Sequence, residues 1–254
     1  MNAPNQGPTL PRILIGCPTA QVKNDSIRAY MKGLENLTHP QFDVVIEDNS
    51  PTPEYAEKLK WLGEKFREKR PECGFKVIHS GHVSPRVRVR IVNGRNAIRE
   101  LVLNEKYDYF FSLEQDIVCP PDTIERLLAH KKEVVGGVYY NPVQLGGKMQ
   151  KTPVLMTYPN EEAKQKGKAQ WVGFTALFPS RILEVACIGL GCVLISRATL
   201  EKIPFRIAEN DPAFDDMHFT LDLQKNGITC YADTAILCEH HYNESFKYTP
   251  NEQF

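Results

Sequence analysis

Short apolar runs alternate along this chain with segments whose apolar residues recur every three or four positions, and that alternation admits few folds. Residues 13–17 form the first apolar run and stop at Pro18, which cannot donate to a strand ladder. Ile27, Tyr30, Met31, Leu34 and Leu37 then recur at helical spacing behind Asp25 and Ser26, which suit a helix start. A second strand is expected over 42–46, ending in Glu47-Asp48-Asn49-Ser50, and a helix over 55–70 with Leu59, Leu62 and Phe66 on one face. A third strand over 75–78 and a third helix over 93–104 follow. Residues 107–113 are apolar almost throughout, as expected of a central strand covered on both faces. Pro120-Pro121-Asp122 opens a helix over 123–129, because proline suits a first helical turn, and a strand follows over 133–140. Strands alternating with helices predict an α/β fold, a mostly parallel central sheet with helices on both faces. A length of 254 residues suits one large domain.

Residues 141–181 break the rhythm. They hold Gly146-Gly147, a polar run over 161–170, and Pro142, Pro153, Pro159 and Pro179. Long loops with room for one short hairpin are expected over about 141–183, and a loop region of that length inside a domain is usually functional. Order returns with a strand over 188–196, helices over 197–202 and 215–226, and a strand pair over 229–238. Residues 1–11, rich in Pro and Asn, read as a loose arm, and the tail after His241 as aromatic and polar.

Charge and cysteine usage narrow the classes. Lys+Arg and Asp+Glu both number 31, so the chain lacks the basic excess of a general nucleic-acid binder. No apolar stretch reaches the roughly 18 residues of a membrane helix, and the opening MNAPNQGPTLPR does not read as a secretory signal. The 7 cysteines form no CxxC pair, and Cys17, Cys187, Cys192 and Cys230 sit in apolar runs as small hydrophobes. A reduced, cytoplasmic protein is expected.

Ligands of parallel α/β sheets sit at the carboxyl ends of strands. There the chain places Pro18 and Thr19, then Glu47 and Asp48, then Glu114, Gln115 and Asp116. Glu114 and Asp116 are two residues apart, so an extended backbone puts both on one face. Two close carboxylates repel unless a cation joins them, and hard oxygen ligands suit Mn²⁺ or Mg²⁺. The bland alternative is a pair of solvated acids before a helix. Asp215 and Asp216 open the last predicted helix, either as acids favoured by its dipole or as a general base. His240 and His241 are a surface pair or the completion of a metal site. Arg86, with Arg88 and Arg90 of the VRVRI stretch that follows it, reads as the solvated face of an edge strand. Arg95, at a predicted helix start, reads as a contact to phosphate or base.

Four segments carry a resemblance. FDVVIEDNS resembles a second strand with an acidic end, NGRNAIRE an Arg-Asn helix start, and FFSLEQDIVCPPDTIERLL a strand with a DxD motif and a proline-led helix. GLGCVLISRATLEKI followed by DDMHFTLDLQKNG resembles a Gly-rich strand, an acidic pair and a helix ending in glycine. In order and spacing they resemble the GT-A (Rossmann-like) glycosyltransferases, family 2 in particular, over about residues 12–241.

The resemblance implies a glycosyltransferase moving a sugar from a nucleotide-sugar donor to an acceptor hydroxyl with a divalent metal. Glu114, Asp116 and His240 would then serve the metal, with His241 an alternative to His240. Pro18, Thr19, Asp48, Arg95 and Gln115 would border the nucleotide. Asp216, with Asp215 beside it, would be the base of an inverting reaction; a retaining outcome stays open if Asp216 is misplaced. The loops over 141–183 would meet an acceptor (a glycan, a lipid-linked sugar, a small molecule or a nucleic acid), with Trp171 and Phe174 either stacking on a sugar or anchoring the loop by burial. This sequence departs from the family in Glu114 for the first acid of the DxD, in Asp215 where glutamate is commoner, and in Asp222 at a usually basic position. A sugar nucleotidyltransferase and a non-catalytic binding module of the same shape are the rival readings.

Overall fold

A computed structural model describes residues 10–145 and 147–241. In chain order the first half runs β1 (Ile13–Thr19), α1 (Ile27–Asn36), β2 (Asp43–Asp48), α2 (Glu54–Lys69), β3 (Phe75–His79), α3 (Val87–Asn104), β4 (Tyr109–Leu113), β5 (Ile117–Val118), α4 (Thr123–Ala129) and β6 (Val134–Val138). Then come β7 (Tyr140–Leu145), β8 (Lys148–Pro153), β9 (Leu155–Thr157), α5 (Glu161–Gln165), β10 (Gln170–Trp171), β11 (Ile182–Val185) and β12 (Cys187–Ile188). The chain continues through β13 (Cys192–Ser196), α6 (Arg197–Lys202), α7 (Asp215–Lys225), β14 (Cys230–Leu237) and β15 (Glu239–His240).

Eight strands form the central sheet in the order β11-β14-β6-β13-β4-β1-β2-β3. β1, β2, β3 and β4 run parallel, as do β6 and β14, while β13 is antiparallel to both its neighbours and β11 to β14. The expected mostly parallel sheet is therefore present. Period-2 alternation sorts its side chains into two cores. Ile13, Ile15, Cys17, Val44, Ile46 and Phe111 pack with α1, α2 and α4, whereas Leu14, Val45, Phe110 and Ile195 pack with α3, α6 and α7. The helices answer with apolar stripes: α1 buries Ile27, Tyr30, Met31 and Leu34, the i, i+3, i+4, i+7 pattern. All seven cysteines are buried and free, and no described helix is long and apolar enough to cross a membrane.

Three expectations need correction. The VRVRI stretch is no edge strand but the first turns of α3, which begins at Val87 rather than Asn93. Its period-2 alternation is outweighed by Val92, Arg95, Ile98 and Val102, which bury one helical face, and by acceptors for the arginines. Arg88 donates to the carbonyls of Asp211 and Ala213, and Arg90 to Asn49.

Residues 141–181 are not mainly loops. β7 and β8 form a hairpin, and β9 joins β10 and β12 in a three-stranded antiparallel sheet. Leu155, Val172 and Leu177 anchor this region in the second core, while Pro142 and Pro153 sit in a two-stranded ribbon, where both strands are edges. The last strand pair is a single strand, β14, followed by the short β15 against β5. Arm residues 1–9 and the tail from 242 onward lie outside the described residues.

Candidate active site

The carboxyl ends of β1, β2 and β4 lie at one edge of the sheet because these strands are parallel and in register, Thr19 opposite Asp48. Immediately beyond β4, Glu114, Gln115 and Asp116 turn into β5. β15 pairs with β5, placing His240 opposite Ile117, and the His241 amide donates to the Asp116 carbonyl at 2.7 Å. This ladder carries His240 Nε2 to 3.5 Å from Asp116 Oδ2. His241 instead points its ring at Glu239, 3.2 Å away. Of the two histidines, His240 stands beside Asp116.

Asp116 Oδ2 also receives the Lys23 ammonium at 2.9 Å, and the same ammonium lies 3.9 Å from Glu114 Oε2. Burial alone would raise the Asp116 carboxyl, but Lys23 and then His240 outweigh it and hold it well below the usual carboxylate range. Asp116 Oδ1 is buried without a hydrogen-bond partner. Among the described residues no three His, Cys, Asp or Glu side chains gather around one point as a closed metal site. The donor set that fits an ion is an open one: a lone buried oxygen on Asp116 and the His240 imidazole, with remaining positions left to ligand oxygens.

Glu114 bridges Lys23 and Arg95. Its Oε1 accepts from Arg95, whose Nε donates to Asp215 at 2.7 Å and whose third nitrogen donates to Ser112 Oγ at 2.7 Å. Arg95 lies mid-helix in α3 and is 2% exposed. Burial alone would favour losing its proton, but Asp215 and Glu114 outweigh that and keep it charged. The expectation of an Arg at a helix start, open to phosphate, thus meets a buried Arg that ties β4 to α7.

Asp215 and Asp216 open α7. Burial raises the Asp215 carboxyl against the pull of Arg95. Asp216, half-buried, is raised to about 7, first by desolvation and then by the charge of Asp215. The buried Tyr139 hydroxyl is raised first by burial and then by the charges of Glu114 and Asp216. The Tyr139 ring meets His240 edge-on, centroids 5.3 Å apart. The GLG sequence follows from this ring. A Cβ on Gly189 would fall 2.1 Å from the Tyr139 hydroxyl, and one on Gly191 2.8 Å from the ring.

Two expected nucleotide contacts are engaged elsewhere. Asp48 is fully buried; Oδ1 accepts from the Ser50 amide and hydroxyl, and Oδ2 pairs with His79 at 2.9 Å. Gln115, also fully buried, accepts from Thr19 and Tyr55 and donates to Lys23 O and Ser26 Oγ. Its amide fastens the end of β1 and the turn over 21–26 to the Asp116 loop. Pro18 is buried against Gly94, where a Cβ would lie 2.8 Å from the proline and 2.1 Å from Glu47 Oε2.

Sequence reasoning missed Lys23, Ser112 and Tyr139, and named Glu47 at a strand end without giving it a role. Glu47 Oε1 is a second buried oxygen without a partner, and burial raises that carboxyl. Only the GLG glycines hinted at a large neighbour such as Tyr139. Trp171 and Phe174 are exposed and so are not buried anchors of the loop; Phe174 packs on Tyr140 and Phe178. The Tyr140 carbonyl is 3.1 Å from His240 Nδ1, so this aromatic cluster borders the Asp116 region.

No protein-family profile matches the chain, and no curated protein matches it in sequence. Solved structures do resemble it. GalNAc-T7, solved with UDP, GalNAc and Mn²⁺, aligns over 92% of this chain at 11% identity with a TM-score of 0.61. The mannosyltransferase PcManGT from Pyrobaculum calidifontis, solved with GDP-Man and Mn²⁺, aligns over 93% at 12% identity and a TM-score of 0.60. Residues 1–349 of S. aureus TarS align over 90% at 16% identity and a TM-score of 0.53. The matches span 44%, 58% and 60% of those chains, less than two thirds of each. With the sheet order and the strand-end acids already in place, these likenesses identify the architecture: the chain has the GT-A fold.

Proposed function

We propose that this chain transfers a sugar from a nucleoside-diphosphate sugar to an acceptor hydroxyl with inversion, using a divalent ion, Mn²⁺ or Mg²⁺, at Asp116 and His240. One observation carries the reading. A strongly acidic Asp116 with a partnerless buried oxygen and an Asp216 raised to about 7 share one end of the sheet. Environments that push two carboxylates in opposite directions mark an acid–base division of labour. Two proteins of the same fold were solved with Mn²⁺ and UDP or GDP-Man, which supports the donor class.

When bound, the ion would neutralise charge developing on the departing diphosphate. The chain's residues do the rest. Asp116 and His240 offer oxygen and nitrogen ligands, while Glu114 fixes Arg95. Arg95 in turn holds Asp215, which keeps Asp216 basic. Asp216 takes the proton from the attacking hydroxyl as the sugar's bond to diphosphate breaks, and a carboxyl titrating near 7 suits that step. Thr19 and Gln115 position the Asp116 loop, and Pro18 closes the β1 end against α3. Asp48 orders the Ser50 turn and His79 beside the nucleotide. The exposed Phe174 and Trp171 offer stacking faces to an acceptor sugar.

Thermal unfolding with a panel of nucleoside diphosphates and nucleotide sugars, with and without Mn²⁺, tests the reading. A nucleotide that binds the native state raises Tm by mass action. We expect a metal-dependent rise for one base, lost in Asp116→Ala, and release of nucleoside diphosphate on turnover. Pyrophosphate release would instead indicate a nucleotidyltransferase. No rise with any nucleotide would leave a binding module of the same fold.

A further inference from the structure

Among the described residues, two permanent cations meet the acids of this cluster, Arg95 and Lys23, and they are held very differently. Arg95 is buried with all three guanidinium nitrogens bonded. Lys23 lies on the turn that follows β1, and its side chain is 35% exposed. Its backbone is fastened, because its carbonyl accepts from Gln115 at 2.6 Å, in the same loop as Asp116. An ammonium on four flexible carbons is a compact charge that solvent can take back.

The position of that ammonium matters. It lies 2.9 Å from Asp116 Oδ2 and 3.9 Å from Glu114 Oε2, between the two carboxylates that the sequence sets two residues apart. His240 approaches the same Asp116 oxygen, while Oδ1 is left without a partner. One monovalent point charge thus leaves part of this carboxylate unsatisfied. A divalent ion taking this place would use both Asp116 and His240, but not beside an ammonium, since two cations repel at that distance.

We infer that Lys23 is a built-in competitor for the divalent-cation position at Asp116, so that metal loading requires its side chain to swing out toward solvent. This rests on the metal reading above and adds the residue that sets the site's affinity. Asp116 stays charge-compensated before loading, and metal occupancy becomes linked to the position of the Lys23 side chain.

The test uses Mn²⁺ alone, without nucleotide or sugar. Loss of the free-ion electron paramagnetic resonance signal is titrated for the full chain, Lys23→Gln, Lys23→Met, Lys23→Arg and Asp116→Asn, with folding checked by circular dichroism. We expect Lys23→Gln and Lys23→Met to bind Mn²⁺ about tenfold or more tighter than the unaltered protein. Lys23→Arg should bind no tighter, and Asp116→Asn should not bind. Binding by the unaltered protein and Lys23→Gln with equal affinity, lost in Asp116→Asn, would overturn the competitor role and leave the metal reading standing. No binding by any folded variant would overturn both. Binding by Lys23→Gln alone would support both.

Discussion

Asp216→Asn separates function from stability at one side chain. Asp216 accepts from the Met217 amide at 2.7 Å, and asparagine keeps an acceptor oxygen there while losing the charge. The Asp216 carboxyl is raised from 3.8 to about 7. The folded state therefore binds more protons than the unfolded state between those values, so wild-type stability falls as pH rises across that window and levels off above it. At 1.36 kcal/mol per pH unit the full effect is about 4 kcal/mol; water reaching the half-buried group screens it, leaving about 2–4 kcal/mol. Near pH 4 and below, neutral aspartate and asparagine are nearly equivalent. Urea unfolding at pH 4 and pH 8, without metal or nucleotide, should show the variant gaining that amount only at pH 8. On the proposed function, transfer activity should meanwhile drop by about 10²–10⁴-fold, and in the wild type should climb through pH 7 as Asp216 ionises. A stability difference that is the same at both pH values, or a variant weaker at pH 8, would refute the assignment.

Arg95→Met should cost about 3–5 kcal/mol in urea unfolding, because it leaves the buried Asp215 without its cation and Glu114 with only the Lys23 ammonium at 3.9 Å. Arg95→Lys should not restore it, since one ammonium cannot serve three separated acceptors; a loss below about 1 kcal/mol would contradict a structural role. Gly189→Ala should destabilise by about 1–3 kcal/mol through overpacking against Tyr139. Tyr139→Phe should recover part of that, because the hydroxyl is the nearest obstacle and Val154 the next; no recovery in the double variant would show that the clash lies elsewhere.

The sequence by itself determined the layered architecture, because apolar periodicity is a local property. Residues 109–113 are apolar except for Ser112 and sit mid-sheet, and Ile27, Tyr30, Met31 and Leu34 form the buried stripe of a helix. Strand-end acids were legible for the same reason, since a polar cluster after an apolar run marks a strand's carboxyl end. Period alone misled at residues 87–91, where an alternating pattern lies on a helix because distant carbonyls and Asn49 receive the arginines.

Only the tertiary structure decided which acids work together. Asp215 meets Arg95 across 120 positions of sequence, and Gln115 reaches Lys23 across 92. The choice of His240 over His241 came from the pairing of β15 with β5, which sets which ring faces Asp116. The burial that holds Asp48 to Ser50 and His79, and lifts Asp216 toward neutrality, depends on neighbours from separate elements. Local pattern specifies what each segment becomes; charge state and partnership depend on desolvation and on distances that exist only once the segments have packed.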